Sequence, residues 1–140
     1  MAEGLVSNVV PGARVDLKHV FTLRDVEDFA RLSGDHNPLH LDDAYAAGTR
    51  FGRRVVHGLL TAGLFSTLLS SRLPGEGTIY LSQSLEFKAP VYVGEEVVAE
   101  VQVISLHPVK PIATLRTVCR KADGTVVIEG QAVVMFTPGQ

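Results

Sequence analysis

Apolar residues recur at helical spacing near the start of the chain. Leu23 is followed by apolar residues at intervals of three and four positions. Thr22, with Asp25 three residues later, is typical of a capping box at the start of a helix. Gly34 suits the left-handed position that follows the end of a helix. The pattern therefore predicts a first helix that begins after Thr22 and ends before Gly34.

Two further helices are predicted in the first half of the chain. Asp42 is suited to cap a short helix over residues 43–47, which ends at Gly48. A longer helix is predicted from about Gly58 to a point before Pro74. Apolar residues cover nearly its whole circumference, which is typical of a buried helix. These residues are Leu59, Leu60, Leu64, Phe65, Leu68 and Leu69.

Alternation with a period of two residues predicts strands in the rest of the chain. The ranges are 14–20, 78–88, 97–103, 112–120 and 125–136. Asp123 and Gly124, between the last two ranges, are a strong signal for a type I′ hairpin. The order of one strand, three helices and four strands predicts the α+β class. We expect a curved five-stranded antiparallel sheet wrapped around the long central helix, which is the hot-dog arrangement.

The length and composition set limits on the class of protein. A chain of 140 residues predicts a single domain over residues 1–140. Thirteen basic and fifteen acidic residues give a net charge of −2, which predicts no nucleic-acid partner. The single cysteine, Cys119, excludes an internal disulfide framework and most structural zinc sites.

Neither a membrane span nor a targeting segment is predicted. The longest uncharged apolar stretch, residues 55–71, contains Thr, Ser, Gly and His and is shorter than a span requires. The segment from Met1 to Asn8 has neither a basic region nor a long apolar run, and residues 138–140 carry no recognisable address. We therefore expect a cytoplasmic protein.

The segment from Asp35 to His40 concentrates groups that can transfer protons. It is predicted to be a loop, because Pro38 lacks a backbone donor and disfavours helix at Asn37. Asp35 and His40 are candidates for general acid–base chemistry on one water molecule. The alternative is a turn in which Asp35 and Asn37 bond their own backbone. No metal site is predicted, because Pro38 interrupts the helix that would bring His36 and His40 to one face.

Three other features are candidates for binding. The amide of Gly58, at the start of the long helix, can stabilise an oxyanion, although a glycine there also serves close packing. His57 precedes it and is either a site residue or a structural histidine. Ser66 either hydrogen-bonds a ligand or bonds back to its own helix. A basic cluster suits a phosphate-bearing substrate or is simply a solvated loop; its members are Arg50, Arg53 and Arg54.

The run from Ser33 to Asp42, then Phe51, then Val56-His57-Gly58, resembles the hydratase-2 motif of the MaoC-like (R)-specific enoyl-CoA hydratases. The resemblance continues over nearly the whole chain and is to the short single-domain hydratases of polyhydroxyalkanoate synthesis. Further matching segments are residues 73–75, 79–81, 83–85, 87, 90–91, 93–94 and 110–115. One departure is Arg54-Val55, where the family usually has Pro-Ile.

The resemblance implies a hot-dog homodimer with pockets at the subunit interface, and it implies no cofactor. The implied substrate is an acyl-CoA thioester. The implied reaction is reversible syn addition of water to a trans-2-enoyl-CoA, giving the (R)-3-hydroxyacyl-CoA. Asp35 and His40 would hold and activate the water, with Asn37 supporting them. The Gly58 amide would polarise the thioester carbonyl. His57 and Ser66 complete the implied substrate-binding set.

Two other functions stay open on the sequence alone. The first is the same chemistry on acyl carrier protein, as a 3-hydroxyacyl dehydratase of fatty-acid synthesis; the basic cluster does not decide between the two carriers. The second is a thioesterase, or a non-catalytic module that binds acyl thioesters. The intact pair of Asp35 and His40 argues against a module that only binds.

Overall fold

The sheet of the computed structural model, which describes residues 8–137, has six strands with antiparallel pairing. They are β1 (Arg14–Val20), β2 (Ile79–Gln83), β3 (Glu86–Phe87), β4 (Glu96–Leu106), β5 (Ile112–Lys121) and β6 (Val126–Met135). Their order is β1-β4-β5-β6-β2, and β3 also pairs with β6. The prediction of five strands is wrong by one, because the range 78–88 divides into β2 and β3. Between them, the Ser84 amide donates to the Gln131 carbonyl at 2.9 Å.

Four helices occur in the first half of the described chain. They are α1 (Leu23–Ser33), α2 (Pro38–Leu41), α3 (Asp43–Ala47) and α4 (Gly58–Ser71). The capping box at α1 is confirmed: the Asp25 amide donates to Thr22 Oγ1 at 3.1 Å, and the Thr22 amide donates to Asp25 Oδ2 at 3.0 Å. Gly34 ends α1 with a φ of 81°. The cap of α3 is also confirmed, since the Tyr45 amide donates to Asp42 Oδ1 at 3.0 Å.

Helix α2 corrects the prediction of a continuous loop over residues 35–40. Pro38 lies in the first turn of α2, where its missing N–H has no intrahelical partner to lose. The Asn37 side chain caps this turn, because its Oδ1 accepts the Leu39 amide at 3.0 Å. Pro38, which would disrupt the interior of a helix, therefore begins one.

Helix α4 packs against β4 and β1 through one face. Its buried residues are Thr61, Leu64, Phe65, Leu68 and Leu69. They meet the inward face of β4, where Val97, Ala99, Val101 and Val103 are at most 1% exposed. The prediction that α4 is buried all round is wrong for the single chain, because its opposite face is open. Leu59 is 63% exposed, and Gly63 and Ser66 are exposed beside it.

The hairpin between β5 and β6 differs from its predicted type. The Gly124 amide donates to the Lys121 carbonyl at 3.0 Å, so Ala122 and Asp123 are the central residues of the turn. A type I′ turn requires a positive φ at both central residues, and here only Gly124 is left-handed, with a φ of 91°. The loop is therefore the three-residue form, in which a glycine bulge follows the turn.

No helix within residues 8–137 is long and apolar enough to cross a membrane. The predictions about residues 1–7 and 138–140 lie outside the described residues.

Candidate active site

The predicted proton-transfer residues line one cavity of about 440 Å³, which we call the first cavity. Its wall comes from the α1–α2 connection, α2, the start of α4 and the segment that follows β3. The lining includes the site candidates Asp35, His40, Arg50, His57 and Gly58, and the motif residues Phe51 and Val56. The structure therefore brings together the two predicted catalytic residues and two of the four predicted binding residues.

Asp35 is held at the cavity by short-range contacts on either side of it. Its amide donates to Ser33 Oγ at 3.1 Å, at the end of α1. Its Oδ1 accepts the Asn37 amide at 3.2 Å, just before α2 begins. The backbone bonding of the Asx-turn alternative is therefore present, yet the exposed Asp35 side chain still lines the cavity. The turn and the candidate catalytic site are the same structure.

His40 lies on α2 with 9% of its surface exposed. Its Nδ1 is 2.7 Å from the Val55 carbonyl oxygen. Because a carbonyl only accepts hydrogen bonds, Nδ1 carries the proton and donates it. In the neutral ring, Nε2 then keeps its lone pair. The contact fixes the orientation of the ring and leaves Nε2 as the nitrogen that can exchange a proton.

His57 is a second, more deeply buried histidine at 2% exposure. Its Nε2 donates to the Asp35 carbonyl oxygen at 3.1 Å. Its ring stacks on His40, with centroids 3.8 Å apart and planes at 28°, and it also meets Phe29 at 4.8 Å. Burial lowers the pKa of His57, and the neighbouring His40 lowers it further. A neutral His57 therefore joins the backbone of Asp35 to the ring of His40.

Asp35, His40 and His57 also form a set of candidate metal ligands, since one donor atom from each lies within 4.8 Å of the others. The exposed His36 of the sequence-level argument is not in this set. Ring nitrogens direct their lone pairs in the ring plane, and the two stacked rings, 3.8 Å apart with planes at 28°, place these lone pairs in two offset planes. Two of the four ring nitrogens are also occupied by backbone carbonyls. The arrangement favours proton transfer over coordination of one ion by both histidines.

Gly58 is the first residue of α4, where backbone N–H groups have no intrahelical partner. His57, the N-cap residue, makes no side-chain hydrogen bond to them. A Cβ atom at Gly58 would lie 2.6 Å from Cε1 of Phe87, whose ring lines the same cavity. The glycine therefore allows close packing against Phe87, and Gly58 lines the cavity. The packing interpretation of Gly58 is confirmed, and its oxyanion role stays a prediction.

Asn37 and Ser66 are not part of the first cavity. The Asn37 side chain caps α2, as described above. Ser66 lines a second cavity of about 330 Å³ between the open face of α4 and the β2 region. The other lining residues of this second cavity are Leu59, Ala62, Gly63, Tyr80, Leu81, Ser82, Gln83 and Leu85. Leu59 lines both cavities, so the two adjoin at that side chain.

Sequence reasoning missed the wall that comes from the end of β3. It consists of Phe87, Lys88, Ala89, Pro90 and Val91. No local signal marks this segment, because sheet pairing brings it beside α4 from a distant part of the chain. The three arginines of the basic cluster lie in three different environments. Arg50 lines the first cavity, Arg53 stacks over Tyr92 at 4.1 Å, and Arg54 Nε lies 2.9 Å from Asp43 Oδ1.

Comparison with known proteins identifies the family of this site. The profile of the MaoC like domain matches residues 8–125. The (R)-specific enoyl-CoA hydratase of Aeromonas caviae is 54% identical over 88% of this chain and 92% of its own length. A mitochondrial 3-hydroxyacyl-[acyl-carrier-protein] dehydratase of Solanum lycopersicum is 41% identical over 89% of this chain and 76% of its own length.

A solved structure agrees with these relatives. The structure described as the (R)-hydratase from A. caviae involved in PHA biosynthesis has a TM-score of 0.90 and 52% identity. The match covers 91% of this chain and 97% of that one. The chain therefore has the hot-dog fold and belongs to the MaoC-like domain family.

Proposed function

We propose that this chain is an (R)-specific enoyl-CoA hydratase, a hydro-lyase that acts on trans-2-enoyl-CoA thioesters. The observation that carries the proposal is the geometry of the first cavity. One wall holds the Asp35 carboxylate and His40, whose Nε2 is unprotonated in the neutral ring, and Gly58 at the start of α4 lines the same space. The similarity to an (R)-specific enoyl-CoA hydratase, which spans most of both chains, supports the same substrate class. We also propose that residues 1–140 form one domain.

A water molecule held between Asp35 and His40 would supply the oxygen that adds to C3. One of the two groups takes a proton from this water as the C–O bond forms. A proton is delivered to C2 on the same face, which makes the addition syn and the product (R)-3-hydroxyacyl-CoA. The reverse steps dehydrate the product. The thioester already activates C3, so the proposal includes no cofactor.

Charge develops on the thioester oxygen during the addition, and the start of α4 is placed to meet it. The Gly58 amide would donate to this oxygen, and the partial positive charge at the helix N-terminus would add to the effect. The absence of a side chain at Gly58 leaves room for the Phe87 ring, which lines the same cavity. We assign Gly58 the oxyanion role on this basis.

His57 and Asn37 act in this proposal as positioning residues. His57 holds Asp35 through its carbonyl and His40 through ring stacking, so it fixes the distance between the two catalytic side chains. Asn37 caps the short helix that carries His40. Neither residue needs to contact the substrate for its substitution to reduce turnover.

The second cavity is the proposed site of the acyl chain, with Ser66 in its wall. Its apolar lining includes Leu59, which adjoins the first cavity. Large apolar side chains beside it remain open in the single chain: Ile79 is 55% exposed and Leu81 is 47% exposed. A second copy of the chain would cover this surface and the edge strand β2. We therefore propose a homodimer with acyl pockets at the subunit interface.

An assay with two readouts tests the proposal. Crotonyl-CoA and a longer trans-2-enoyl-CoA are incubated with the enzyme in the presence of EDTA. We expect loss of the conjugated enoyl absorbance, formation of the (R) product and no release of free thiol. Thiol release would identify a thioesterase instead. The tomato relative makes acyl carrier protein the alternative carrier; turnover of crotonyl-acyl carrier protein without turnover of crotonyl-CoA would identify a dehydratase. No turnover of any thioester would leave a binding module.

A further inference from the structure

Two cationic side chains, Arg50 and Lys88, line the first cavity and are exposed to solvent. The ion pairs found within residues 8–137 include neither of them. Lys88 acts electrostatically on Glu129, but that carboxylate is already engaged by Arg116 Nη2 at 2.9 Å. Both cations are therefore available to an anion at the cavity mouth.

The neighbouring cations are paired with carboxylates or do not line the cavity. Arg54 lies against Asp43, and Arg53, over the ring of Tyr92, is outside the cavity lining. Lys121, which also approaches the Tyr92 ring, is 3.1 Å from Glu95 Oε1. The positive charge that can meet an anion at the cavity therefore comes from Arg50 and Lys88 and not from a general excess of basic residues.

Arg50 is oriented without losing its donors. Its guanidinium lies over the ring of Phe51, with the central carbon 4.8 Å from the ring centroid. A cation–π contact leaves N–H donors of the guanidinium for an anion, since the group carries five of them. A planar fork of donors is suited to two oxygens of one phosphate.

The size of the cavity decides which part of a carrier reaches these residues. A cavity of about 440 Å³ is of the size that encloses one small ligand, so it accommodates the enoyl thioester and not the nucleotide. With the thioester carbonyl at Gly58, the pantetheine arm must leave through the mouth. The net charge of −2 gives the whole chain no attraction for a polyanion. Attraction must therefore come from local cations.

We propose that Arg50 and Lys88 form a phosphate-binding subsite for the pyrophosphate of coenzyme A. The subsite rests on the proposed function, because it takes the carrier of a thioester bound in the first cavity. It also gives the protein a physical basis for preferring coenzyme A thioesters to thioesters that lack phosphate.

The test compares crotonyl-CoA with crotonyl-N-acetylcysteamine, which has the same acyl group and no phosphate. The variants are Arg50→Gln, Lys88→Gln and the double substitution. For each single variant we expect the ratio of kcat/KM for crotonyl-CoA to kcat/KM for the small thioester to fall about 1.5-fold to fivefold, as for a solvent-exposed ion contact. The loss should come from a higher KM for crotonyl-CoA. The difference between variant and wild type should shrink at high salt.

Arg53→Gln is the matched control, since it removes the same charge from the same segment outside the cavity lining. We expect it to keep the ratio of the wild type. An equal fall of the ratio in Arg53→Gln would overturn the subsite in favour of a diffuse field. A parallel loss for both thioesters in Arg50→Gln and Lys88→Gln would also overturn it, because the residues would then shape the pocket only.

A third substrate tests whether the phosphate that binds the subsite belongs to coenzyme A or to acyl carrier protein. Crotonyl-acyl carrier protein has one phosphodiester on the same arm. If the variants weaken its turnover more than that of crotonyl-CoA, the assignment to coenzyme A is wrong. Failure of the proposed function has a different signature, in which the wild type hydrates none of the three thioesters.

Discussion

The two cavities of this chain adjoin at Leu59 but differ in how complete they are. Every candidate catalytic group of the first cavity is fixed by contacts within one chain, such as the bonds from His40 to Val55 and from His57 to Asp35. The second cavity has a largely apolar wall in which Leu59 and Leu81 are 63% and 47% exposed. The catalytic groups of the first cavity are placed by one chain, whereas the apolar wall of the second cavity needs a cover.

This difference shows that the polar part of a site is fixed by contacts between nearby residues, whereas the apolar part depends on surfaces from elsewhere in the assembly. A hydrogen bond has a fixed length and direction, so a few neighbouring residues suffice to place Asp35 and His40. Apolar burial has no direction and requires only that some surface covers the side chain. The apolar wall therefore leaves the choice of cover to another part of the assembly.

The largest expected effect is in the first cavity. Asp35→Asn keeps the shape but removes the base, and His40→Gln keeps a donor that cannot exchange a proton near neutral pH. Each should lower kcat by roughly a hundredfold to ten-thousandfold, as expected for positioned acid–base groups. The kcat of the double variant should lie only slightly below that of the less active single variant, because the effects of groups that act as a unit are not additive. Steady-state kinetics on crotonyl-CoA measures all three.

Binding provides the control for that series. We expect a saturated acyl-CoA to bind all three variants as it binds the wild type, because Gly58 and the apolar walls remain. Losses that multiply in the double variant, or an Asp35→Asn enzyme with most of its kcat, would contradict a water shared between the two residues.

Gly58→Val should have the next largest effect. The new side chain would meet the Phe87 ring, which a Cβ already approaches to 2.6 Å, and would obstruct the amide of the oxyanion position. Loss of such a donor typically costs about a hundredfold or more in kcat. Gly48→Val is the matched control, since a Cβ there meets only an ordinary contact of 3.5 Å with the Tyr45 carbonyl oxygen. Circular dichroism should find both variants folded; equal activity of the two would contradict the role of Gly58.

A charge on the apolar wall of the second cavity should affect dimer formation more than the rate of the catalysed reaction. Leu81→Asp places a charge on the open wall, and we expect it to yield monomers where the wild type has twice the 15.1 kDa mass of the chain. Leu32→Asp, on an α1 side chain that is 76% exposed, should leave the mass unchanged. Light scattering with sedimentation measures both. A wild type that is a stable, fully active monomer at micromolar concentration would contradict the proposed dimer.

A single hydroxyl in the second cavity should matter little. Ser66→Ala removes at most one neutral hydrogen bond, worth about 0.5–1.5 kcal/mol net. We therefore expect a change of roughly tenfold or less in kcat/KM, expressed mainly in KM and dependent on the length of the acyl chain. Kinetics on two enoyl-CoA lengths measures it. A loss as large as that of Gly58→Val would place Ser66 in the chemistry and not in the acyl wall.

The smallest expected effect is on stability, through His57. Burial lowers its pKa below the ordinary value of 6.5, so the unfolded chain takes up the proton at a higher pH than the folded chain. The contribution of His57 to the free energy of unfolding is therefore complete above pH 6.5 and is lost as the pH falls. Carboxylates with lowered pKa values, such as Glu129, titrate at lower pH.

Thermal unfolding at a series of pH values measures this effect. Between about pH 7.5 and about pH 5.5 we expect Tm to fall in the wild type and to fall less in His57→Phe, which keeps an aromatic ring without a titrating group. Identical pH slopes in the two proteins would show that His57 does not remain neutral in the folded state.

The difference between local and long-range contacts also explains which structural features could be predicted from the sequence. Local signals were sufficient for the capping box at Thr22 and the left-handed Gly34, and they marked the segment whose Asp35 and His40 line the first cavity. Helix α2 was missed because Pro38 is compatible with both a loop and the first turn of a helix, and only tertiary contacts such as His40 to Val55 decide between them.

Longer-range features could not be predicted in the same way. The apolar pattern of residues 78–88 identified an apolar face, but it did not indicate that the strand divides or that this face stays open in one chain. Lys88 reaches the first cavity because sheet pairing brings the end of β3 beside α4. No spacing within the sequence encodes that contact.

The succession of caps between α1 and α3 has a consequence for how the length of this segment can change. Gly34 ends one helix, Asn37 begins the next, and Asp42 both ends that helix and begins α3. Each extra residue in a helix turns the following side chains by about 100°. One insertion or deletion within Pro38–Leu41 would therefore rotate His40 away from the Val55 carbonyl. Surface segments usually tolerate changes of length, but this one should accept substitutions far more readily than a single added or lost codon.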